Sequence, residues 1–257
     1  MIRTLYLPSG EITGSRPPGA DPPENGLRTG LSTAQIAAAL EDAGGVLWVD
    51  FVEEPPSRVE PVLSDVFHFH PLAIEDALRE LHVPKVDDWN TYVYLVMTAA
   101  IYHPEDEDLI QPLELDLFLG PNYVVTYQSR AISTVERVFG IFSRNPDLLR
   151  RGPEFLAYRI ADELSDDVIP VVEALDADLD RLEDEIFAAA RPETLEKIVR
   201  FKRGALQLRR IILPQRELMQ RLSRQSYSMI DPQFQIFFRD VFDHLVRLHD
   251  ILESLRD

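Results

Sequence analysis

Cysteine is absent from all 257 residues. That excludes disulfides, thiolate metal sites and a cysteine nucleophile, and it fits a cytosolic location. Long apolar runs are also missing. No stretch approaches the ~18 consecutive apolar residues of a membrane span, and MIRTLYLPSG at the amino terminus is not a signal peptide. The chain as given is therefore expected to be soluble. Basic residues are outnumbered, 26 against 44 acids, for a formal net charge of −18. Such a charge repels nucleic acid and anionic surfaces and favours cations or basic partners. There is no glycine-rich phosphate loop, no Gly-x-Ser-x-Gly elbow and no His-Glu-x-x-His. No enzymatic activity is expected.

What is present is enough apolar content, 45%, for a sizeable core in one large domain or two modest ones. Ile2 to Leu7 alternates and predicts an edge strand. Gly14 to Gly30 is rich in Pro and Gly and predicts a loop. Ser32 and Gln35 form a capping-box pattern ahead of a helix that ends at Gly44–Gly45. Val46 to Val52 predicts a buried strand. Pro61 to Phe67 and Pro71 to Leu81 predict short helices on either side of FHFHP. Tyr92 to Tyr102 predicts a strand. Leu113 to Leu119 and Tyr123 to Gln128 predict a hairpin around Gly120–Pro121–Asn122. A helix over Ala131 to Phe142 completes a mixed-sheet unit of about 150 residues.

Beyond Gly152–Pro153 the pattern becomes helical. One long helix is predicted from Pro153 to Ala189 and kinked at Pro170. A second runs from Glu193 to Leu222, with a break at Arg191–Pro192 and a kink at Pro214. The first carries twelve acids between Glu154 and Glu185, and the second nine bases between Glu193 and Arg224. An antiparallel hairpin would set these charges side by side. The last helix opens with Asp231 as N-cap and Pro232 at its first position. Phe234, Phe238, Val241, Leu245, Leu248, Leu252 and Leu255 recur every 3.5 residues, the seam of a helix packed lengthwise on others. No stop signal follows, so this helix is expected to continue in the natural protein.

Among candidate chemical groups, His68 and His70 could ligate a metal from one strand face, but no third ligand is obvious nearby and they fit a helix-entry or packing role. His244 and His249 lie five apart and read as surface or interhelix residues. The carboxylates Glu75, Asp76, Asp162, Asp240 and Asp243 sit among apolar neighbours, which costs energy unless they are paired or metal-bound. Oxygen-only ligands suit a hard cation such as Mg²⁺. Spacing alone leaves open that they are ordinary surface acids.

Five segments, in order, resemble one family. They are FHPLAIEDAL (Phe69–Leu78), PKVDDWNTYVYLVM (Pro84–Met97), LELDLFLGPNYVVTYQ (Leu113–Gln128), YRIADELSDDVIPVVEALDADLDRLED (Tyr158–Asp184) and FFRDVFDHLVRLHDILESLRD (Phe237–Asp257). They are similar to the amino-terminal cytoplasmic domain of CorA-type magnesium channels, in the CorA/ZntB superfamily. The resemblance implies an α+β fold, an α/β/α sandwich with a mixed sheet, followed by long antiparallel helices and the start of a stalk helix. The implied divisions are 1–150, 151–230 and 231–257. It implies a homopentamer at the cytoplasmic face of the inner membrane, anchored by two transmembrane helices of which the first ends in a Gly-Met-Asn motif that forms the ion entrance; this chain contains neither the helices nor the motif. It also implies regulatory Mg²⁺ between neighbouring subunits, at positions matching Glu75, Asp76, Asp162 and Asp240, favouring a closed state. Co²⁺, Ni²⁺ and Zn²⁺ remain alternative ions. A ZntB-like zinc transporter and a soluble helical scaffold for a protein partner remain alternative readings, and a carboxylate metal hydrolase ranks last.

Overall fold

The computed structural model describes residues 1–10, 26–79, 83–188 and 192–254. Among the described residues, a seven-stranded mixed sheet has the order β2-β1-β3-β7-β6-β5-β4. The strands are β1 (Ile2–Leu7), β2 (Arg28–Thr29), β3 (Val46–Val52), β4 (Lys85–Asp88), β5 (Val93–Tyr102), β6 (Ile110–Leu119) and β7 (Tyr123–Gln128). β3 and β7 pair in parallel, Leu47 opposite Tyr123, and the other described neighbours are antiparallel. The sheet is therefore two antiparallel meanders joined by one parallel seam.

Helices cover both faces. On one lie α1 (Thr33–Leu40), α2 (Pro56–Asp65) and α3 (Pro71–Leu78), packed on Val49, Phe51, Tyr94, Val96 and Phe118. On the other lie α4 (Ser133–Arg144), α5 (Pro153–Asp166), α6 (Val168–Ala188), α7 (Pro192–Arg224) and α8 (Gln235–Ser254). Their apolar faces share one core with Trp48, Leu95, Met97, Leu115 and Leu117. Alternation along β6 sends Leu115 and Leu117 to one core and Phe118 to the other, which is how one strand serves two layers.

Local signals set many boundaries. Ser32 caps α1 in a complete capping box, and Gln35 Oε1 accepts from the Ser32 backbone N–H at 2.8 Å. Gly120 closes the β6–β7 turn, its N–H donating to the Tyr123 carbonyl at 2.9 Å; a Cβ there would overlap the Tyr123 ring. Asp231 caps a 3₁₀ turn (Pro232–Phe234) that leads into α8, its carboxylate accepting from Gln233 N at 2.9 Å.

Several expectations need correction. β1 is not the edge, because the short β2 lies outside it. α2 begins at Pro56, so Pro61 is interior; it forgoes one backbone hydrogen bond while Val59, Val62 and Leu63 keep the turn buried. The long helix expected from Pro153 divides at Asp167 rather than kinking at Pro170. A proline ring clashes with the carbonyl four residues earlier, and that carbonyl belongs to Asp166, the last residue of α5. By contrast, α7 continues as one helix through Pro214. The charge complementarity of α6 and α7 yields one described ion pair between them, Lys197 with Glu185 at 2.6 Å. Arg203 turns instead to Glu107, and Arg209 to Glu253 on α8. The expectations for Gly14 to Asn25, Leu81, Arg191 and Leu255 lie outside the described residues.

The seam of α8 is covered within the chain. Phe234, Phe238, Val241, Leu245, Leu248 and Leu252 are buried, in contact with α5, α6 and α7. A second stripe at the same spacing, Ile236, Asp240, Asp243, Arg247 and Asp250, is exposed.

Candidate metal centre

The first group of candidate ligands is on α3. His70 N-caps this helix, its Nδ1 accepting from Leu72 N at 3.2 Å, while its ring stacks on Trp89. This bears out the helix-entry role for His70; His68 is exposed, with its Nδ1 3.1 Å from the Ser64 carbonyl, and opens no helix. Ala73, Ile74 and Ala77 face the core, so Glu75 and Asp76 turn outward. Neither carboxylate is bare. Glu75 pairs with Arg79 one turn on. Asp76 Oδ2 lies 2.5 Å from Lys85 Nζ, and the same ammonium lies 2.9 Å from Asp87 Oδ2. Burial alone would lower the Lys85 pKa, but the bonds to Asp76 and Asp87 raise it above its ordinary value.

The second group joins α5 to α8. One ligand atom each from Asp162, Asp166 and His244 lie within 4.8 Å of one another. Asp162 is buried, His244 half-buried and Asp166 exposed. His244 Nδ1 is 3.3 Å from Asp166 Oδ1, without hydrogen-bond geometry, and this buried nitrogen has no hydrogen-bond partner among the described residues. Arg159 bonds Asp162 at 2.8 Å and also pairs with Glu163. Burial pushes the Asp162 carboxyl up; Arg159 draws it down and Asp166 pushes it up again, with a net rise. Asp240 is one turn before His244, exposed and in no ion pair with a described residue.

The sheet separates these groups. α3 packs on one face, α5 and α8 on the other. A single chain therefore does not bring Glu75 and Asp76 to Asp162 and Asp240. What it does assemble is Asp162 with Asp166 and His244. Sequence reasoning passed over the last two because it compared His244 only with His249. The usable signal was helical register: Asp162 and Asp166, like Asp240 and His244, stand four apart and share a face. Chemically, two carboxylates and an imidazole can hold a divalent cation. Carboxylates and water suit Mg²⁺, and the imidazole extends the range to Co²⁺, Ni²⁺ and Zn²⁺.

The class is an α/β/α domain on a mixed sheet, extended by long antiparallel helices and carrying a group of candidate cation ligands at the junction of α5 and α8. The chain belongs to the CorA-like Mg²⁺ transporter family, whose model matches residues 43–257. It is 31% identical over 210 residues to the putative metal ion transporter YfjQ of Bacillus subtilis, covering 82% of this chain and 64% of that protein. It is 28% identical over 230 residues to the cobalt/magnesium transport protein CorA of Thermotoga maritima, covering 88% and 65%. The chain thus spans slightly under two thirds of the length of these relatives. The fold superposes on the complete structure of the CorA magnesium transporter of Methanocaldococcus jannaschii with a TM-score of 0.79 at 18% identity, over 100% of this chain and 73% of that one. Among the described residues no helix is long and apolar enough to cross a membrane.

Proposed function

We propose that this chain is the cytoplasmic metal-sensing part of a CorA-like divalent cation transporter, in which Mg²⁺ bound between neighbouring subunits favours the closed state. Residues 1–150 form the sheet unit, 151–230 the helical arm and 231–257 the start of the stalk. The working assembly is a homopentamer at the cytoplasmic face of the membrane. The observation that carries this reading is the separation of the candidate ligands onto opposite faces of the sheet, with Asp240 exposed and in no ion pair among the described residues. Glu75 and Asp76 of one subunit reach Asp162 and Asp240 only across a contact between copies. Without metal, the acids facing one another there repel to the extent that Arg79, Lys85 and Arg159 leave their charge uncompensated; a dication offsets the remainder and holds one packing. Loss of cytosolic Mg²⁺ then shifts the population toward a splayed, open arrangement through differential affinity.

The test is mass in solution, by light scattering, in chelator and then in about 1 mM Mg²⁺, a concentration suited to weak carboxylate sites. Wild type shifts toward a pentamer with Mg²⁺, and Asp240→Ala does not. Equal masses for both proteins under both conditions count against the intersubunit site. A second reading, transport or sensing of Zn²⁺, Co²⁺ or Ni²⁺, is favoured by His244 beside Asp162 and Asp166.

A further inference from the structure

We propose that Lys85 is an internal cation that competes with the divalent ion for Asp76, and that it sets the concentration at which the site fills. This deepens the reading of Asp76 as a ligand and rests on it. The geometry is specific. β4 pairs antiparallel with β5, Lys85 opposite Val96 and Asp87 opposite Tyr94. Val86 is buried in the helical-arm core, so by strand alternation Lys85 and Asp87 point together toward α3. The Lys85 ammonium sits 5.1 Å from the centre of the Tyr94 ring and bridges Asp76 at 2.5 Å and Asp87 at 2.9 Å.

A group in that position does what a bound cation would do. It neutralises one of two carboxylates that would otherwise face each other, and it occupies the oxygen of Asp76 that a metal or its water shell needs. It also has a way out. The Lys85 side chain is 27% exposed, and its four-carbon stem allows the head to swing into solvent. A dication entering at Asp76 must therefore displace a monovalent charge, and the free energy of that displacement is subtracted from its affinity. Affinity is weakened by design, so occupancy changes at a higher ion concentration than bare carboxylates would give. The Arg79–Glu75 pair is a looser case, with both groups well exposed.

The measurement is the Mg²⁺ concentration giving half of the maximal thermal stabilisation, at constant ionic strength, for wild type, Lys85→Met, Lys85→Gln, Lys85→Arg and Asp76→Asn. Both neutral variants lower that midpoint by about tenfold, because a like charge is removed within a few ångströms of the ion. Lys85→Arg, which keeps the charge, stays near wild type, and Asp76→Asn loses most of the response. Midpoints for Lys85→Met and Lys85→Gln equal to or above wild type overturn the proposal; if Asp76→Asn has lost the response in that experiment, the ligand reading survives. An Asp76→Asn response equal to wild type overturns the ligand reading itself, and the competition with it.

Discussion

Gln215 on α7 accepts a hydrogen bond from the backbone N–H of Thr98 on β5 at 2.9 Å, in a buried position. β4 pairs with β5 only as far as Lys85 opposite Val96. Thr98 lies past the end of that ladder, so a helix side chain from the arm supplies the acceptor that a strand would have supplied. Replacing Gln215 with Ala leaves a buried N–H unpaired and costs about 1–3 kcal/mol. The Thr98 hydroxyl, by contrast, has no described partner, so Thr98→Val is expected to be neutral or slightly stabilising. Denaturant unfolding of the two variants checks the contrast; equal losses would mean that Thr98 acts through its side chain.

Asp162 gives a pH signature. Its folded-state pKa is raised from the ordinary 3.8, chiefly by burial, so its charged form is disfavoured in the native state. The native state then binds the proton more tightly than the unfolded chain, and this group destabilises the protein as pH rises above 3.8 through the folded value. In chelator, the melting temperature of Asp162→Asn minus that of wild type should increase with pH across that window. A flat difference would show that Arg159 fully compensates the charge.

The imidazole should discriminate among ions. His244→Ala is expected to weaken stabilisation by Co²⁺ or Ni²⁺ by about tenfold while changing that by Mg²⁺ little, since imidazole is a preferred ligand of the former. Thermal-shift titrations with each ion check this. Equal losses for all ions would assign His244 to packing between α5 and α8.

Asp42 has the opposite sign from Asp162. It accepts from Ser9 N at 2.9 Å and from the Tyr6 hydroxyl at 2.7 Å, and these bonds hold its pKa well below the ordinary carboxylate value. Its stabilising contribution is present above 3.8 and is lost as pH falls through the folded value. Asp42→Asn should cost about 1 kcal/mol at pH 7 after solvent screening, and the cost should shrink in acid. Tyr6, pushed up to about 12 by burial and by Asp42, should titrate closer to an ordinary phenol in the variant.

The legible parts of the sequence were those with a punctuated period. β1, β3 and β7 are observed where alternation or an apolar run met a turn, as at Gly44–Gly45 and Gly120–Pro121–Asn122. The α8 seam was read residue by residue, but not which surface it would meet, because the pattern of one helix does not reveal its partner. β4 was missed since Lys-Val-Asp-Asp has a single apolar residue, and its pairing is imposed by β5. The break before α6 was read three residues late, at the proline rather than at the carbonyl its ring disturbs. The junction of Asp162 with His244 depends on packing between segments about 80 residues apart, which no local spacing encodes.

The parallel seam between β3 and β7 bears on how the molecule folds. Each meander is stitched by contacts closer in sequence, but the register of Leu47 with Tyr123 and of Val52 with Gln128 requires a long loop to close first. Such non-local pairing is slow. The two halves of the sheet are therefore expected to form early and separately, with their union as the late step. Substitutions along that seam, at Val49 or Val125, should slow folding more than equally destabilising changes within either meander.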